Sequence, residues 1–515
     1  MRPLAFEHRD THILNRLLRF AQARPQAALL WLLAVHVVVW TVVPILTSAN
    51  LQLDLAETLA LGREWQLGYW KHPPLPWWLG DLAYRLTGTT LVVYLLGPLS
   101  VAATFYVIYK FACEIVSPQR ALIAVLALEG LHFFNFSAVK FNHDVLQLPF
   151  WALAAWWFHR GIRDERLLDW LLAGIALALA FWAKYAAFAL GATFALVLLL
   201  DPVARRAWRT PGPYLMAAVF LVVLSPHLVW LLQHDLMPFR YVEERATVAS
   251  SLGQMLLFPL RWTLGQIGFL VPLLVLLALA LRAPRDAAAA QPSAFAQRYV
   301  MALAFGPFLV TTLLAALAGR LPVAMWGYPL WTFLPLAAVV WWPRQLSAVS
   351  LRPFAAAFLV WMMALPLAYA GAELLEPLVR DRPKATQFPG RQLAETLTAQ
   401  WRARFNTPLA YVGGAKEVGT GPGEFPANNV AVYSPDRPHV LVHGDIALSP
   451  WIDPADIAAR GAVLVWQGGK EGEIPAGLKA AFPHAELQPP LTLPRQGPFV
   501  RAPVVIHSAV VPPQP

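Results

Sequence analysis

Leu51–Trp78 reads LQLDLAETLALGREWQLGYWKHPPLPWW, and the run before it, Ala27–Leu46, reads AALLWLLAVHVVVWTVVPIL. About 20 apolar residues in a helix cross a bilayer, so the earlier run is long enough to span. The later stretch is too polar to do so. Asp54 and Glu57 stand three apart and share one helical face. Leu51, Leu55, Leu59, Leu61 and Trp65 give the same segment an apolar side, suited to lying flat on a membrane. Gly68 to Pro74 follow as a stiff turn carrying Lys71 and His72. The ring of His72 is fixed because proline restrains both itself and the residue before it.

Outward from this loop the whole chain is apolar. Of 515 residues 58% are hydrophobic and 14% charged, which excludes an ordinary soluble globule and marks a polytopic membrane protein. The net charge of +10 does not point to nucleic acid, since the basic residues fall mostly in short loops between apolar runs. Membrane lipids are their expected partners. Cys113 is the single cysteine, so no intramolecular disulfide forms.

Residues 1–26 read as a basic amphipathic arm on the cytoplasmic face, with Arg2, Arg9, Arg16, Arg19 and Arg24 around Leu14, Leu17, Leu18 and Phe20. Residues 27–370 read as the membrane domain. After Ala27–Leu46, apolar runs sit near 91–110, 121–138, 143–158, 167–183, 185–200, 214–232, 262–281, 300–318, 327–342 and 353–370. That makes about eleven spans, with a break near Lys184. Alternate loops hold Arg120; Arg160, Arg163 and Arg166; Arg205, Arg206 and Arg209; Arg282, Arg285 and Arg298; Arg344 and Arg352. The positive-inside rule puts that set and the N-terminus in the cytoplasm. The first loop, 47–90, then lies outside, with 137–142, the Lys184 turn, 233–261, 319–326 and everything after 371.

Residues 371–515 change composition, and proline, glycine and charge rise. A helix over Gln392–Phe405 leads to a strand at Leu409–Val412. Further strands are expected at Val430–Tyr433, Val440–Val442 and Ala462–Trp466, and helices near Pro454–Arg460 and Ala476–Phe482. The fold class is mainly α: a polytopic helical bundle with a C-terminal soluble α/β domain. The glycines at 413, 414 and 419–423 read as loop residues, and no nucleotide fingerprint is present.

An external surface offers no nucleotide sugar, so an activated donor there would arrive as a lipid, and a polyprenyl-phosphate sugar fits. Transfer from it needs a base for the acceptor hydroxyl and positive charge for the departing phosphate. Asp54 with Glu57 supplies the catalytic carboxylates. Lys71, His72, Lys184, Arg240, Arg245 and Arg261 are the phosphate candidates. Tyr69, His143, Asp144, Tyr241 and Tyr328 are candidates for the cavity wall. Plainer readings stand beside these: solvated or helix-capping carboxylates, a snorkelling Lys184, surface ion pairs within Phe239–Ala246, and an aromatic belt at Met325–Trp331. No cofactor is expected. A divalent metal at Asp54, Glu57 or His143 stays open, without a ligand spacing to support it.

These motifs together resemble the bacterial glycosyltransferase family 39 enzymes of the GT-C superfamily, which are similar to the protein mannosyltransferases and the lipid A aminoarabinose transferase. The likeness rests on Asp54 with a nearby Glu followed by GYWKHPPL, on HDVLQLPFWALAAWW (His143–Trp157), on WAKYAAF (Trp182–Phe188) and on LSPHLVWLLQHD (Leu224–Asp235). It covers about residues 27–370. It implies a GT-C bundle, Asp54 as general base, a polyprenyl-phosphate-sugar donor and inverting transfer on the periplasmic side of the bacterial inner membrane. The acceptor is then lipid A, lipopolysaccharide core or another envelope glycan. The rival reading is a transporter or flippase of a lipid-linked sugar. Such a protein more often shows paired halves with helices interrupted at midplane, and the sequence shows none.

Overall fold

The computed structural model describes residues 6–287, 289–379, 384–416, 423–468, 472–499 and 502–514. Arg2, Gly419 and Gly421 lie outside the described residues. In chain order the helices are α1 (Phe6–Ala23), α2 (Pro25–Thr47), α3 (Leu53–Gly62), α4 (Leu75–Thr87), α5 (Val93–Cys113), α6 (Pro118–Ala127), α7 (His143–Asp164), α8 (Leu167–Ala183), α9 (Ala187–Leu200), α10 (Gly212–Gln233), α11 (Met237–Arg245), α12 (Leu252–Ala280), α13 (Ala294–Leu317), α14 (Leu334–Trp341), α15 (Ala348–Val379), α16 (Gly390–Phe405), α17 (Phe425–Tyr433), α18 (Pro454–Arg460) and α19 (Ala476–Ala481). The chain divides into two compact units.

The first unit comprises Met1–Thr41, Gly97–Val139 and His143–Leu367. Its core is aliphatic and aromatic throughout, from Leu29 and Phe105 to Trp151, Phe333 and Phe358. Taking the whole chain, six helices among the described residues are long and apolar enough to cross a membrane: Pro25–Thr47, Thr90–Cys113, Gly212–Gln233, Leu252–Ala280, Ala294–Leu317 and Ala348–Val379. The protein is a multi-pass membrane protein. Of the other apolar runs, 143–158 lies in the unbroken but more polar α7, and the rest are shorter or broken helices. The run at 167–200 does break at Lys184, whose backbone is extended between α8 and α9.

The run at 121–138 keeps helix only to Ala127, which corrects the expectation of a continuous span there. The cause is polar. Glu129 and Asn135 are buried, and the Asn135 amide donates to the Glu129 carbonyl at 2.8 Å, stitching a tight 3-10 turn instead. His36 of α2 lies 2.8 Å from Glu129 through Nδ1, so this buried carboxylate is paired. Gly130 lets α12 approach, since a Cβ there would stand 2.6 Å from the Leu273 backbone. The run at 327–342 is likewise helical only from Leu334. Met325 lies in a preceding 3-10 turn. Phe239–Arg245, expected as loop, forms most of α11. A two-stranded ribbon, β1 (Thr247–Val248) antiparallel to β2 (Arg320–Leu321), follows it.

The second unit comprises Val42–Leu96, Lys140–Asn142 and Ala368–Pro515. Its sheet holds β3 (Tyr411–Gly413), β4 (His439–Leu441), β5 (Ala462–Gln467), β6 (Glu486–Leu487), β7 (Leu491–Leu493) and β8 (Val504–Val511). The order is β4-β3-β5-β8-β6, with β7 also on β8. β4, β3 and β5 run parallel; β8 opposes β5 from Ala462↔Val511 to Gln467↔Ile506. Residues 462–466 of β5 are all buried, as the unbroken apolar run AVLVW requires of a central strand. The expected strand at Val430–Tyr433 is the end of helix α17. Its β-branched residues favoured a strand, but Phe425–Val432 are buried around the whole helix, and packing overrides propensity.

In the same unit α3 and α4 form a hairpin. The helix carrying Asp54 is not the surface-lying amphipath its leucines suggested: Leu55 to Gly62 are all buried. Tyr69 fills the bend. Its hydroxyl donates to the Leu61 carbonyl at 2.9 Å, and its ring stands edge-on to Trp77 at 4.5 Å. At Gly62 a Cβ would fall 2.2 Å from the Trp77 carbonyl oxygen. Gly62→Ala is therefore expected to cost about 1–3 kcal/mol by overpacking. Gly371→Ala, which meets nothing within 4 Å, serves as the control. Thermal unfolding in detergent compares the two midpoints.

Candidate active site

The candidate residues fall into two groups, one within each unit. In the second unit Asp54 sits in the first turn of α3, where the helix dipole favours a carboxylate. It is half-buried, and Asn142 donates through Nδ2 to its Oδ2 at 2.8 Å. One turn on, the buried Glu57 meets Lys71, Nζ to Oε1 at 2.5 Å. Burial pushes the Glu57 carboxyl above its ordinary range, Lys71 opposes that rise, and the Asp54 charge adds to it. The Lys71 ammonium also stands 5.3 Å from the centre of the Trp70 ring. His72 is half-buried, its ring 6.3 Å from Trp77. Tyr69 is fully buried in the hairpin core.

The segment leading into α3 is fastened to the C-terminal residues of this unit. Asn50 donates to the Asn429 side chain at 2.9 Å and to the Ala385 carbonyl at 3.2 Å. The Leu51 amide reaches the Tyr433 hydroxyl, and Gln52 donates to the Tyr369 hydroxyl at 2.6 Å. Farther along, Glu64 accepts at 2.8 Å from His439, and Arg437 stacks over Tyr84 at 4.2 Å.

Two more titratable groups reach the Lys71 pair from the C-terminal residues. Glu424, the residue before α17, is buried and feels the charges of both Lys71 and Glu57. His443, in the 3-10 turn after β4, lies 3.1 Å from Glu424 and 4.9 Å edge-on from Trp70. Sequence reasoning missed Asn142, Glu424 and His443. No local pattern marks them, because Asn142 meets Asp54 from 88 residues away, and Glu424 and His443 approach Lys71 and Trp70 from the far part of the chain.

In the first unit Lys184 and Asp144 are both buried and form an ion pair of 2.5 Å, with His143 buried beside Asp144 at the start of α7. The adjacent Tyr185 meets His227 at 3.0 Å and stacks on Phe239 at 5.2 Å, which sets α11 against the Lys184 turn. On α11 Arg240 and Arg245 are exposed and Tyr241 is half-buried. Arg261 is exposed on α12. Tyr328 is buried, its ring 3.9 Å from that of Phe133. Among the described residues no three His, Cys, Asp or Glu side chains gather as a metal-holding group.

With this geometry in view, the comparisons with known proteins place the fold. Solved structures of ArnT from Cupriavidus metallidurans, one bound to undecaprenyl phosphate and one in the apo state, align with TM-scores of 0.58. The first covers 94% of this chain and 98% of that one at 15% identity, the second 95% and 100% at 14%. The fold is thus that of these two structures. A sequence family described as dolichyl-phosphate-mannose-protein mannosyltransferase matches residues 71–230. The match begins at Lys71 and takes in Asp144 and Lys184. The lipid A galacturonosyltransferase RgtD of Rhizobium johnstonii is 31% identical over 242 residues, 46% of this chain. The lipopolysaccharide core galacturonosyltransferase RgtB of the same organism is 29% identical over 208 residues, 39% of this chain. The matched regions span 50% and 41% of those relatives' lengths. The chain thus resembles these membrane glycosyltransferases in fold and, over part of its length, in sequence.

The Asp144–Lys184 pair generates a stability expectation. Removing one partner of a buried pair leaves an uncompensated charge and costs about 3–5 kcal/mol. Asp144→Asn is expected to lower the unfolding midpoint in detergent sharply. The double change Asp144→Leu with Lys184→Met is expected to recover most of the loss.

Proposed function

We propose that this protein transfers a sugar from a polyprenyl-phosphate donor to an envelope glycolipid or glycan, with inversion at the anomeric carbon. The observation that carries the reading is the arrangement at the start of α3: Asp54 held by Asn142, with the Glu57–Lys71 pair one turn away. The names of the relatives favour lipid A or the lipopolysaccharide core as acceptor and galacturonic acid as the sugar. The undecaprenyl phosphate bound to ArnT favours a donor of that lipid class. The site then faces the periplasm and the protein sits in the bacterial inner membrane, as the arginine loops suggest.

In the proposed step the acceptor hydroxyl oxygen attacks the anomeric carbon and its proton passes to the Asp54 carboxylate. The bond from the anomeric carbon to the phosphate oxygen breaks, and that oxygen leaves with the electron pair as polyprenyl phosphate. A phosphate leaving group needs no acid, only positive charge, which Lys71 and His72 are assigned to provide. Asn142 fixes one carboxylate oxygen, so the other is oriented before substrate arrives. Glu57 holds Lys71. Lys184, Arg240, Arg245 and Arg261 carry the same assignment on residue chemistry alone, arginine being the better fork for phosphate.

Asp54→Asn keeps the shape and the Asn142 contact but removes the base. It is expected to lower kcat by roughly 10²–10⁴-fold while donor-lipid binding persists. Mass spectrometry of purified glycolipids, with transfer rates and donor binding measured side by side, checks this. Undiminished turnover removes the base assignment. Arg240→Glu is expected to weaken donor binding chiefly, and unchanged affinity removes that residue from the phosphate set.

A further inference from the structure

Lys71 is paired with one carboxylate, and a second, from the C-terminal part of the same unit, lies within reach of its charge. Glu57 of α3 lies 2.5 Å from Lys71 Nζ. Glu424, before α17, is close enough that Lys71 and Glu57 are the charges it feels most. His443 Nδ1 lies 3.1 Å from Glu424 Oε1, and its ring packs edge-on to Trp70, the residue before Lys71. His443 is held at φ 54°, in the left-handed region, with Gly444 at φ 68° after it. A side chain held there is strained, and such strain persists where the surroundings fix the residue.

The charges facing this cluster come from every element packed on it: Asp54 and Glu57 of α3, Lys71 of the following turn, Lys416 after β3, and His443 and Asp445 after β4. Burial, with Lys416 and Lys71, holds the His443 imidazole down to about 4, so it is neutral at pH 7. Burial pushes the Glu424 carboxyl up to about 7, with Lys71 and the His443 backbone opposing and Glu57 adding. Within the group formed by Glu57, Lys71, Glu424 and His443, the net charge is zero when Glu424 is protonated and −1 when it is ionised.

We propose that Glu424 is a positioning residue for Lys71: when neutral it leaves the ammonium shared with Glu57 alone and able to hold the donor phosphate, and when ionised it draws the ammonium inward and sets a negative charge against that phosphate. The inference rests on the reading of Lys71 as a phosphate ligand. It gives the C-terminal part of the chain a role in donor binding and ties donor affinity to pH.

The test uses the full chain in detergent and farnesyl methyl phosphate, a phosphodiester whose single charge does not change between pH 6 and 8.5. If only the protein with neutral Glu424 binds, the apparent Kd rises about fivefold from pH 7 to pH 8, because the competent fraction falls. Glu424→Gln is expected to keep the low-pH Kd across the range. Glu424→Asp is expected to restore a pH-dependent Kd. A Gln variant that retains the wild-type slope overturns the inference, as does a wild type with no slope. Lys71→Met separates the two levels. Unchanged binding by that variant at pH 6 removes Lys71 from the phosphate, and the inference falls with it. Weakened binding by Lys71→Met, with the slope intact in Glu424→Gln, overturns the role of Glu424 alone. The sign for stability is fixed as well. A carboxyl raised in the folded state favours folding less as pH rises from its ordinary range to about 7. Glu424→Gln is therefore expected to unfold at or above the wild-type midpoint at pH 8, and a lower midpoint there counts against a buried, ionising Glu424.

Discussion

The hydrogen bond from Asn50 to Asn429 stands for the constraint on which the rest of the second unit depends. The helix carrying Asp54 is ten residues long, too short to hold its own shape in water. It is a helix because both of its sides are buried and because its lead-in is tied at three successive residues, Asn50, Leu51 and Gln52, to side chains after position 368. Asp54 stands two residues beyond the last of those ties. Its direction is set by groups that lie more than 300 residues downstream.

The same logic runs through the ion pairs. Burial raises the Glu57 carboxyl and Lys71 opposes that rise across a 2.5 Å contact. Lys184 and Asp144 meet across the same distance in the first unit. Buried pairs of this kind contribute little net stability, since desolvation offsets attraction. Their value is in fixing where a charge stands. A chain this apolar keeps its charges at fixed places by pairing them.

Much of this was legible in the sequence, and the limits have physical causes. The long apolar helices α2, α5, α10, α12, α13 and α15 all fall where apolar length demanded them. The Lys184 break and the helix at Asp54 were also read from local pattern. What pattern could not show is what depends on distant partners. The span at 121–138 fails because Glu129 and Asn135 satisfy each other in a turn. Val430–Tyr433 looks like a strand because Val430, Val432 and Tyr433 favour one, and it is a helix because α16 and its other neighbours bury it. Asp54, Glu57 and Lys71 were visible as chemistry within one loop. Asn142, Glu424 and His443 were invisible, since nothing near them in the chain records what they touch. The central strand β8 was missed for the same reason, its partners being β5, β6 and β7 rather than one adjacent hairpin.

β8 follows every other strand of its sheet in the chain, yet it joins β5 to β6 and β7. During synthesis the Asp54 loop emerges early and its clasps emerge hundreds of residues later. Until Val504–Val511 is made, the sheet that backs those clasps has an open edge along β5. The loop can therefore settle only after the strand at Val504–Val511 has been made, so its early place in the chain does not make it early to fold.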